Sequence, residues 1–239
     1  MAKIKVGFAL YSSFDSLDVL GPYQTFFYAG FDCHLIAEKR RPVKSLEGVK
    51  LEPGATFAAA GQLDVLFVPG GSDIDGVLKA GHPGKNAYLD FLIRQAPGCQ
   101  LVCSVCTGAL LLAAAGLLDG HLATTHWAYK QVLQLFPCTV VDDFRRYVQS
   151  GNRVTGAGIS SGLDESLYIV SLLAGLGTAR SAQLAMQYNP QPLSHCGDPK
   201  DGDIKDDPGM VAARQAAWEV PATLEFVRRW VGKATSTNK

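Results

Sequence analysis

Short apolar runs recur along the chain and alternate with longer segments of helical character. Four runs are nearly continuous and too short for a helix, which is typical of strands buried on both faces of a sheet. They span residues 3–10, 31–37, 64–68 and 100–105. Segments of helical composition span residues 86–95, 107–115, 127–136 and 166–176. This alternation predicts an α/β fold with a mostly parallel central sheet covered by helices on both faces.

Smaller features add detail to this prediction. The pair Gly21-Pro22 indicates a helix with Pro22 in its first turn and an apolar body at residues 26–28. Residues 43–51, interrupted by Glu47-Gly48, predict an antiparallel hairpin at an edge of the sheet. Further short strands are expected at residues 140–141, 147–148 and 154–155.

The composition narrows the functional classes. The 239 residues include 22 Lys+Arg and 22 Asp+Glu, so a net charge of zero offers no attraction to nucleic acid or to an anionic membrane. With 47% hydrophobic and 18% charged residues, the chain is suited to one large core. The longest apolar run, residues 109–118, is about half the roughly 20 residues that span a bilayer. We therefore expect neither a nucleic-acid partner nor a membrane partner.

The two ends of the chain carry predictions of their own. Residues 1–5 lead straight into a strand pattern without the apolar segment of a signal peptide, so we expect a cytoplasmic protein. Residues 1–190 are expected to form the main domain, and residues 191–239 a polar loop and a C-terminal helix that packs on it. The polar segment at residues 194–208 predicts a surface loop before that helix, and residues 201–203 within it lack the spacing of a calcium loop.

Cys106 lies between a predicted strand and a predicted helix, with Ser104 and Gly108 two positions away on either side. In hydrolases the pattern G-x-S-x-G forms a strained turn, the nucleophile elbow, which exposes the central side chain above the sheet. At a helix N-terminus the macrodipole favours a thiolate, so Cys106 is a candidate nucleophile. The alternative is that Cys106 is a small, inert core residue, as most free cysteines are.

Cys103 forms a C-x-x-C motif with Cys106, which is the spacing of redox and zinc sites. Because Cys103 lies within the predicted strand, we expect its side chain to point into the core. Redox motifs place both cysteines across a helix start, and a structural zinc site needs a second pair that the sequence lacks. We expect no metal site and no thioredoxin-like role.

Several segments, taken in order, resemble the ThiJ/PfpI superfamily over about residues 3–190. They are LDVLGP at 17–22, PGG at 69–71, SVCTG at 104–108, AAGLLDG at 114–120 and ATTHW at 123–127. With an aspartate at position 18, the set is most similar to the isocyanide hydratase branch. The resemblance implies a flavodoxin-like sandwich related to the class I glutamine amidotransferases, usually a homodimer. It also implies hydration of an isocyanide, R–N≡C, to the N-substituted formamide without a cofactor.

The same resemblance implies the roles of four residues. Cys106 would add to the isocyanide carbon, while Asp18 would deliver the accompanying proton and later activate water on the thioimidate. Burial beside a thiolate would raise the proton affinity of Asp18. The backbone N–H groups of Gly71 and Thr107 would stabilise charge on the adduct or hold the water, and the Thr107 hydroxyl could steady the thiol.

Departures from other members of the superfamily narrow the expected activity. Peptidase-like members have His directly after the nucleophile, where this chain has Thr107, which argues against peptidase activity. Glyoxalase- and deglycase-like members have Glu where this chain has Asp18. We expect His126 to be a structural hydrogen-bonding residue rather than a base for Cys106. The alternatives to a hydratase are a cysteine-based oxidative-stress sensor and a ligand-sensing module.

Overall fold

The computed structural model describes residues 3–141, 143, 145–194, 196–198, 209–210, 212 and 220–236. Most of the predicted loop at residues 194–208, including residues 201–203, lies outside the described residues. The strands are β1 Lys5–Ala9, β2 Asp32–Ala37, β3 Val43–Lys44, β4 Lys50–Leu51, β5 Ala55–Thr56, β6 Val65–Val68, β7 Leu101–Ser104, β8 Leu122–Ala123, β9 Thr139–Val140, β10 Tyr147–Ser150 and β11 Arg153–Gly156. The α-helices are α1 Ser16–Tyr28, α2 Ile74–Lys79, α3 Ala87–Gln95, α4 Gly108–Ala114, α5 Lys130–Leu133, α6 Ser161–Ala185 and α7 Val220–Ser236.

Seven strands form the central sheet in the order β10-β11-β7-β6-β1-β2-β5. Every neighbouring pair is parallel except β10 with β11, which is an antiparallel hairpin at one edge. Helices α1 and α6 pack on each other, and α4 contacts α2, α3 and α5 in a second group. The predicted α/β fold with a mostly parallel sheet is therefore confirmed.

The centre of the sheet is tightly packed with aromatic side chains. Phe8 on β1 and Phe67 on β6 are fully buried, with ring centroids 5.2 Å apart. Phe26 of α1 packs 6.2 Å from Phe8, so the first helix is fixed directly on the two central strands. This packing positions the N-terminal end of α1 over the carboxyl ends of the strands.

The prediction that Pro22 occupies a first helical turn is wrong. Helix α1 begins at Ser16, because the Asp15 side chain accepts a hydrogen bond from the Leu17 N–H and caps the helix six residues before Gly21-Pro22. Pro22 therefore lies inside the helix and supplies no N–H to the helical ladder. The early start places Asp18 in the first turn of α1.

The antiparallel hairpin at residues 43–51 is present, but it does not extend the central sheet. Strands β3 and β4 form a separate two-stranded sheet. The hairpin is tied instead to the loop before α1, since Ser13 N–H donates to Lys44 O and Leu46 N–H donates to Phe14 O. It therefore lies beside the carboxyl ends of the central strands rather than at the sheet edge.

Three helical segments differ from the prediction. The helix expected at residues 127–136 is a 3-10 turn, Trp127–Tyr129, followed by the short α5. Helix α6 is longer than expected and is interrupted at Gly175, whose φ of 85° breaks the helical geometry. The short helix α2 was not predicted from the apolar pattern.

Helix α7 packs against α2 and α5. The Trp230 indole N–H donates to Leu78 O at 3.0 Å, and Val227 is fully buried. Among the described residues, no helix is long and apolar enough to cross a membrane.

Candidate active site

Three turns meet at the carboxyl ends of β6, β7 and β11. In the sheet register Ser104 is paired with Val68 on one side and with Thr155 on the other. The turns that follow these strands, at residues 69–71, 105–107 and 156–158, are therefore adjacent. Ligands of open α/β sheets bind at such strand ends.

Cys106 occupies a strained position in the central turn. Its φ is +56°, which is unusual for a residue with a side chain. The backbone is held from both sides, because Cys106 N–H donates to Ala157 O at 2.7 Å and Cys106 O accepts from the Thr125 hydroxyl at 2.8 Å. The residue is 6% exposed and lines a cavity, whereas Cys103 is fully buried in the core, as predicted.

Asp18 reaches the same place from α1. Its side chain is fully buried, and Oδ2 accepts a hydrogen bond from the Gly70 N–H at 2.8 Å. A Cβ atom on Gly70 would lie 2.7 Å from the Cys106 Cβ and 2.8 Å from Asp18 Oδ2. The absence of a side chain at Gly70 thus allows the carboxyl group and the cysteine to be neighbours.

Both groups bind protons more strongly than usual. Burial raises the pKa of Asp18 well above its ordinary value, the charge of Asp15 raises it further, and the hydrogen bond from Gly70 opposes the shift. Burial, followed by the charge of Asp18, raises the pKa of Cys106. The Thr107 backbone N–H lowers that pKa but does not cancel the rise. The expectation that the helix start favours the thiolate is overturned, because burial and Asp18 outweigh it.

Thr107 and Gly71 bind each other. The Gly71 N–H donates to Thr107 Oγ1 at 2.9 Å, and the Thr107 hydroxyl donates to Gly71 O at 2.8 Å. The Gly71 amide is therefore engaged in this structure, and its role in stabilising an adduct stays a prediction. The Thr107 backbone N–H is a hydrogen-bond partner of the Cys106 sulfur, and this contact lowers the pKa of the thiol.

The cavity above Cys106 has a volume of about 660 Å³. Its walls come from the loop before α1, the β3–β4 hairpin, α2, the turn at residues 126–129, the β11–α6 turn and α7. The lining residues are Ser13, Asp15, Leu46, Gly71, Ser72, Asp73, Asp75, Lys79, Cys106, Thr107, His126, Tyr129, Ile159 and Thr223.

His126 lines the cavity but has a structural task. Its Nδ1 accepts a hydrogen bond from the Ala128 N–H at 3.3 Å and caps the 3-10 turn. Burial lowers the pKa of His126 to about 4, so the ring is neutral near pH 7. This geometry agrees with the structural role expected from the sequence.

Three polar residues near the site were missed in the sequence. The negative charge of Asp15 raises the pKa of Asp18. The position of Asp15 as a helix-capping residue before an apolar run could have indicated that it lies near the site. Tyr11 is buried with its hydroxyl close to Gly71 and Thr107, and nothing in the local pattern indicated this. Glu165 is fully buried on α6, and burial and the charge of Asp18 raise its pKa.

Among the described residues, no group of three or more His, Cys, Asp or Glu could hold a metal ion.

The fold and the site define an α/β sandwich protein with a cysteine and an acid at the carboxyl edge of the sheet. The sequence model of the DJ-1/PfpI family matches residues 4–171, and the chain belongs to this family. The superfamily expected from the sequence segments is thereby confirmed.

Individual relatives make the placement more specific. Isonitrile hydratase from Pseudomonas putida is 39% identical over 197 residues, which cover 82% of this chain and 83% of that protein. A crystal structure of a ThiJ/PfpI family protein from Pseudomonas syringae superposes with a TM-score of 0.83 at 33% identity, covering 97% of this chain and 92% of the other. The transcriptional regulator GbdR from Pseudomonas aeruginosa is 30% identical over 57% of this chain but only 36% of its own length.

Proposed function

We propose that this protein hydrates isocyanides to N-substituted formamides, with Cys106 as nucleophile and Asp18 as general acid and base. The observation that carries the proposal is the convergence of Cys106, the Asp18 carboxyl group and the Thr107 amide around Gly70, beside a cavity that Cys106 and Thr107 line. Similarity to isonitrile hydratase supports the substrate class. We further propose that the enzyme is cytoplasmic and that it is a homodimer, as the family resemblance implies.

The first step needs one shared proton. The reactive form is the singly protonated pair with the proton on Asp18 and a thiolate on Cys106, and burial favours the protonated form of that carboxyl group. The thiolate attacks the terminal isocyanide carbon and forms the C–S bond, while Asp18 gives its proton to the same carbon. The product is a thioimidate, Cys106 S–CH=N–R, beside an ionised Asp18.

The second step consumes water. Asp18 takes a proton from the water as its oxygen adds to the thioimidate carbon, and then passes that proton to the nitrogen. The adduct, S–CH(OH)–NH–R, loses its hydroxyl proton to Asp18 as the C–S bond breaks and the thiolate leaves. The formamide is released, and both residues return to their starting protonation state.

Turnover of a simple isocyanide tests the proposal. Cyclohexyl isocyanide is incubated with the purified protein, and N-cyclohexylformamide is measured by mass spectrometry. We expect Cys106→Ala to abolish turnover. We expect Asp18→Asn to lower kcat by at least about 100-fold, the usual contribution of a general acid and base. Asn retains the oxygen that accepts from Gly70, so the fold should persist.

A matched control separates these effects from general damage. Cys33→Ser changes a half-buried cysteine on β2 that does not line the cavity, and it should retain full turnover. Turnover by Cys106→Ala would overturn the mechanism. Absence of turnover by the wild-type protein, with peroxide oxidising Cys106 selectively, would favour the sensor function instead.

A further inference from the structure

The wall of the cavity includes one residue from α7. Thr223 lines the cavity with a buried side chain and belongs to a different segment from the reactive residues. Cys106, Asp18, Thr107 and Gly70 all lie within residues 4–171, the part that matches the family model. Helix α7 lies outside that part, although the Pseudomonas syringae family protein superposes over 97% of this chain.

Helix α7 is firmly attached to the cavity walls. Trp230 donates to Leu78 O at the end of α2, and its ring lies 4.0 Å from the His82 ring, measured between centroids. Lys79, which also lines the cavity, lies 5.7 Å above the Phe226 ring. These contacts fix the position of Thr223 relative to α2.

An isocyanide has two ends with different roles: the terminal carbon reacts, and the substituent R on the nitrogen is what the cavity can recognise. The terminal carbon of an isocyanide must meet the Cys106 sulfur, so the substituent R extends from the nitrogen into the rest of the cavity. Residues that line the cavity away from the Cys106 sulfur are therefore the ones available to contact R. Leu46, Tyr129, Ile159 and Thr223 offer it apolar or small surfaces.

We propose that Thr223 is a specificity-determining residue and that α7 sets the size of the uncharged substituent that the isocyanide can carry. This inference rests on the proposed function. Enlarging residue 223 should narrow the cavity and exclude bulky substituents, whereas the smallest isocyanide should still reach Cys106.

The test compares two substrates in three variants. In Thr223→Trp, we expect kcat/KM for cyclohexyl isocyanide to fall at least about tenfold, as removal of pocket space commonly does, while methyl isocyanide changes less than about twofold. Thr223→Ala should shift the ratio toward the bulky substrate. Thr223→Val, which keeps the shape of the side chain, should leave the ratio unchanged. Parallel changes for both substrates, or an unchanged ratio in all variants, would overturn the proposal.

A second readout does not depend on hydratase activity. The rate of Cys106 alkylation is measured by peptide mass with iodoacetamide and with a bulky N-aryl iodoacetamide. Thr223→Trp should slow only the bulky reagent, and the Tm of each variant shows that it is folded. If the wild type fails to hydrate isocyanides, the proposed function fails, yet this comparison still decides whether α7 controls access to Cys106.

Discussion

At the scale of single residues, Cys106 and Asp18 function as one titrating pair. Each resists ionisation because it is buried, and the charge of Asp18 raises the pKa of Cys106 further. Two groups coupled in this way lose their protons in two steps that belong to the pair. In the proposed mechanism the singly protonated pair is the reactive form, so activity should fall on both sides of a pH optimum. The alkaline limb reports the loss of the last proton.

Asp15 offers a way to move that alkaline limb. Its negative charge is the second cause that raises the pKa of Asp18, after burial. Replacing it in Asp15→Asn removes the charge and keeps the cap on α1, because Asn caps as well as Asp. The pKa of Asp18 should then fall, the pair should lose its last proton at lower pH, and the alkaline limb of kcat/KM should shift down by up to about one unit.

The control for this shift is Asp73→Asn. Asp73 also caps a helix and lines the cavity, since its side chain accepts from the Gly76 N–H at the start of α2. We expect its pH profile to retain the wild-type alkaline limb. An alkaline limb that stays in place or moves upward in Asp15→Asn would contradict the electrostatic account of Asp18.

At the scale of elements, the site exists because the turn after β6 approaches the β7–α4 junction and α1 closely. Gly70 occupies the point of contact, where a Cβ atom would lie 2.6 Å from Thr107 N. The same Cβ would press on the Cys106 Cβ and on Asp18 Oδ2. Moving backbone atoms costs free energy, because the strands and helices around them must move as well. A side chain at residue 70 would therefore displace the β7–α4 junction or α1.

We therefore expect Gly70→Ala to damage the site more than the fold. Overpacking of this kind costs about 1–3 kcal/mol of unfolding free energy, measured by denaturant titration. The displacement of Asp18 from Cys106 should lower kcat/KM by at least about 100-fold. Gly177→Ala is the control, because a Cβ there meets nothing within 4 Å, and it should leave both quantities near wild type. Near-normal activity in Gly70→Ala would show that the close approach is not required.

The sequence indicates the central strands and the turn at Cys106 because these depend on local signals. Continuous apolar runs define β1, β6 and β7, and small residues flank Cys106. Other features depend on distant contacts. The sequence wrongly predicts that the hairpin β3–β4 lies at the sheet edge. Its hydrogen bonds to the loop at residues 13–14 join distant parts of the chain, so no pattern within residues 43–51 indicates them. The thiol pKa was misjudged because burial, which the sequence does not show, outweighs the helix start.

At the scale of the whole molecule, α1 and α6 present apolar side chains to solvent. Leu17 and Leu20 on α1 are 43% and 42% exposed, while Leu172 and Leu176 on α6 are 43% and 57% exposed. The two helices pack on each other, and Leu17 and Leu20 line one surface depression together with Leu163. Apolar surface of this kind is typical of protein interfaces, and it supports the proposed homodimer.

The proposed homodimer predicts a molecular mass and a thermal stability that depends on protein concentration. Light scattering after size-exclusion chromatography should give twice the 25.5 kDa chain mass for the wild type. Its Tm should rise with protein concentration, because association stabilises the folded state by mass action. Leu20→Glu places a charge within the apolar face, so we expect a monomer whose Tm is independent of concentration. Leu122→Glu alters a similarly exposed leucine on β8 and should remain dimeric. A wild-type monomer at micromolar concentration would contradict the assignment of this face.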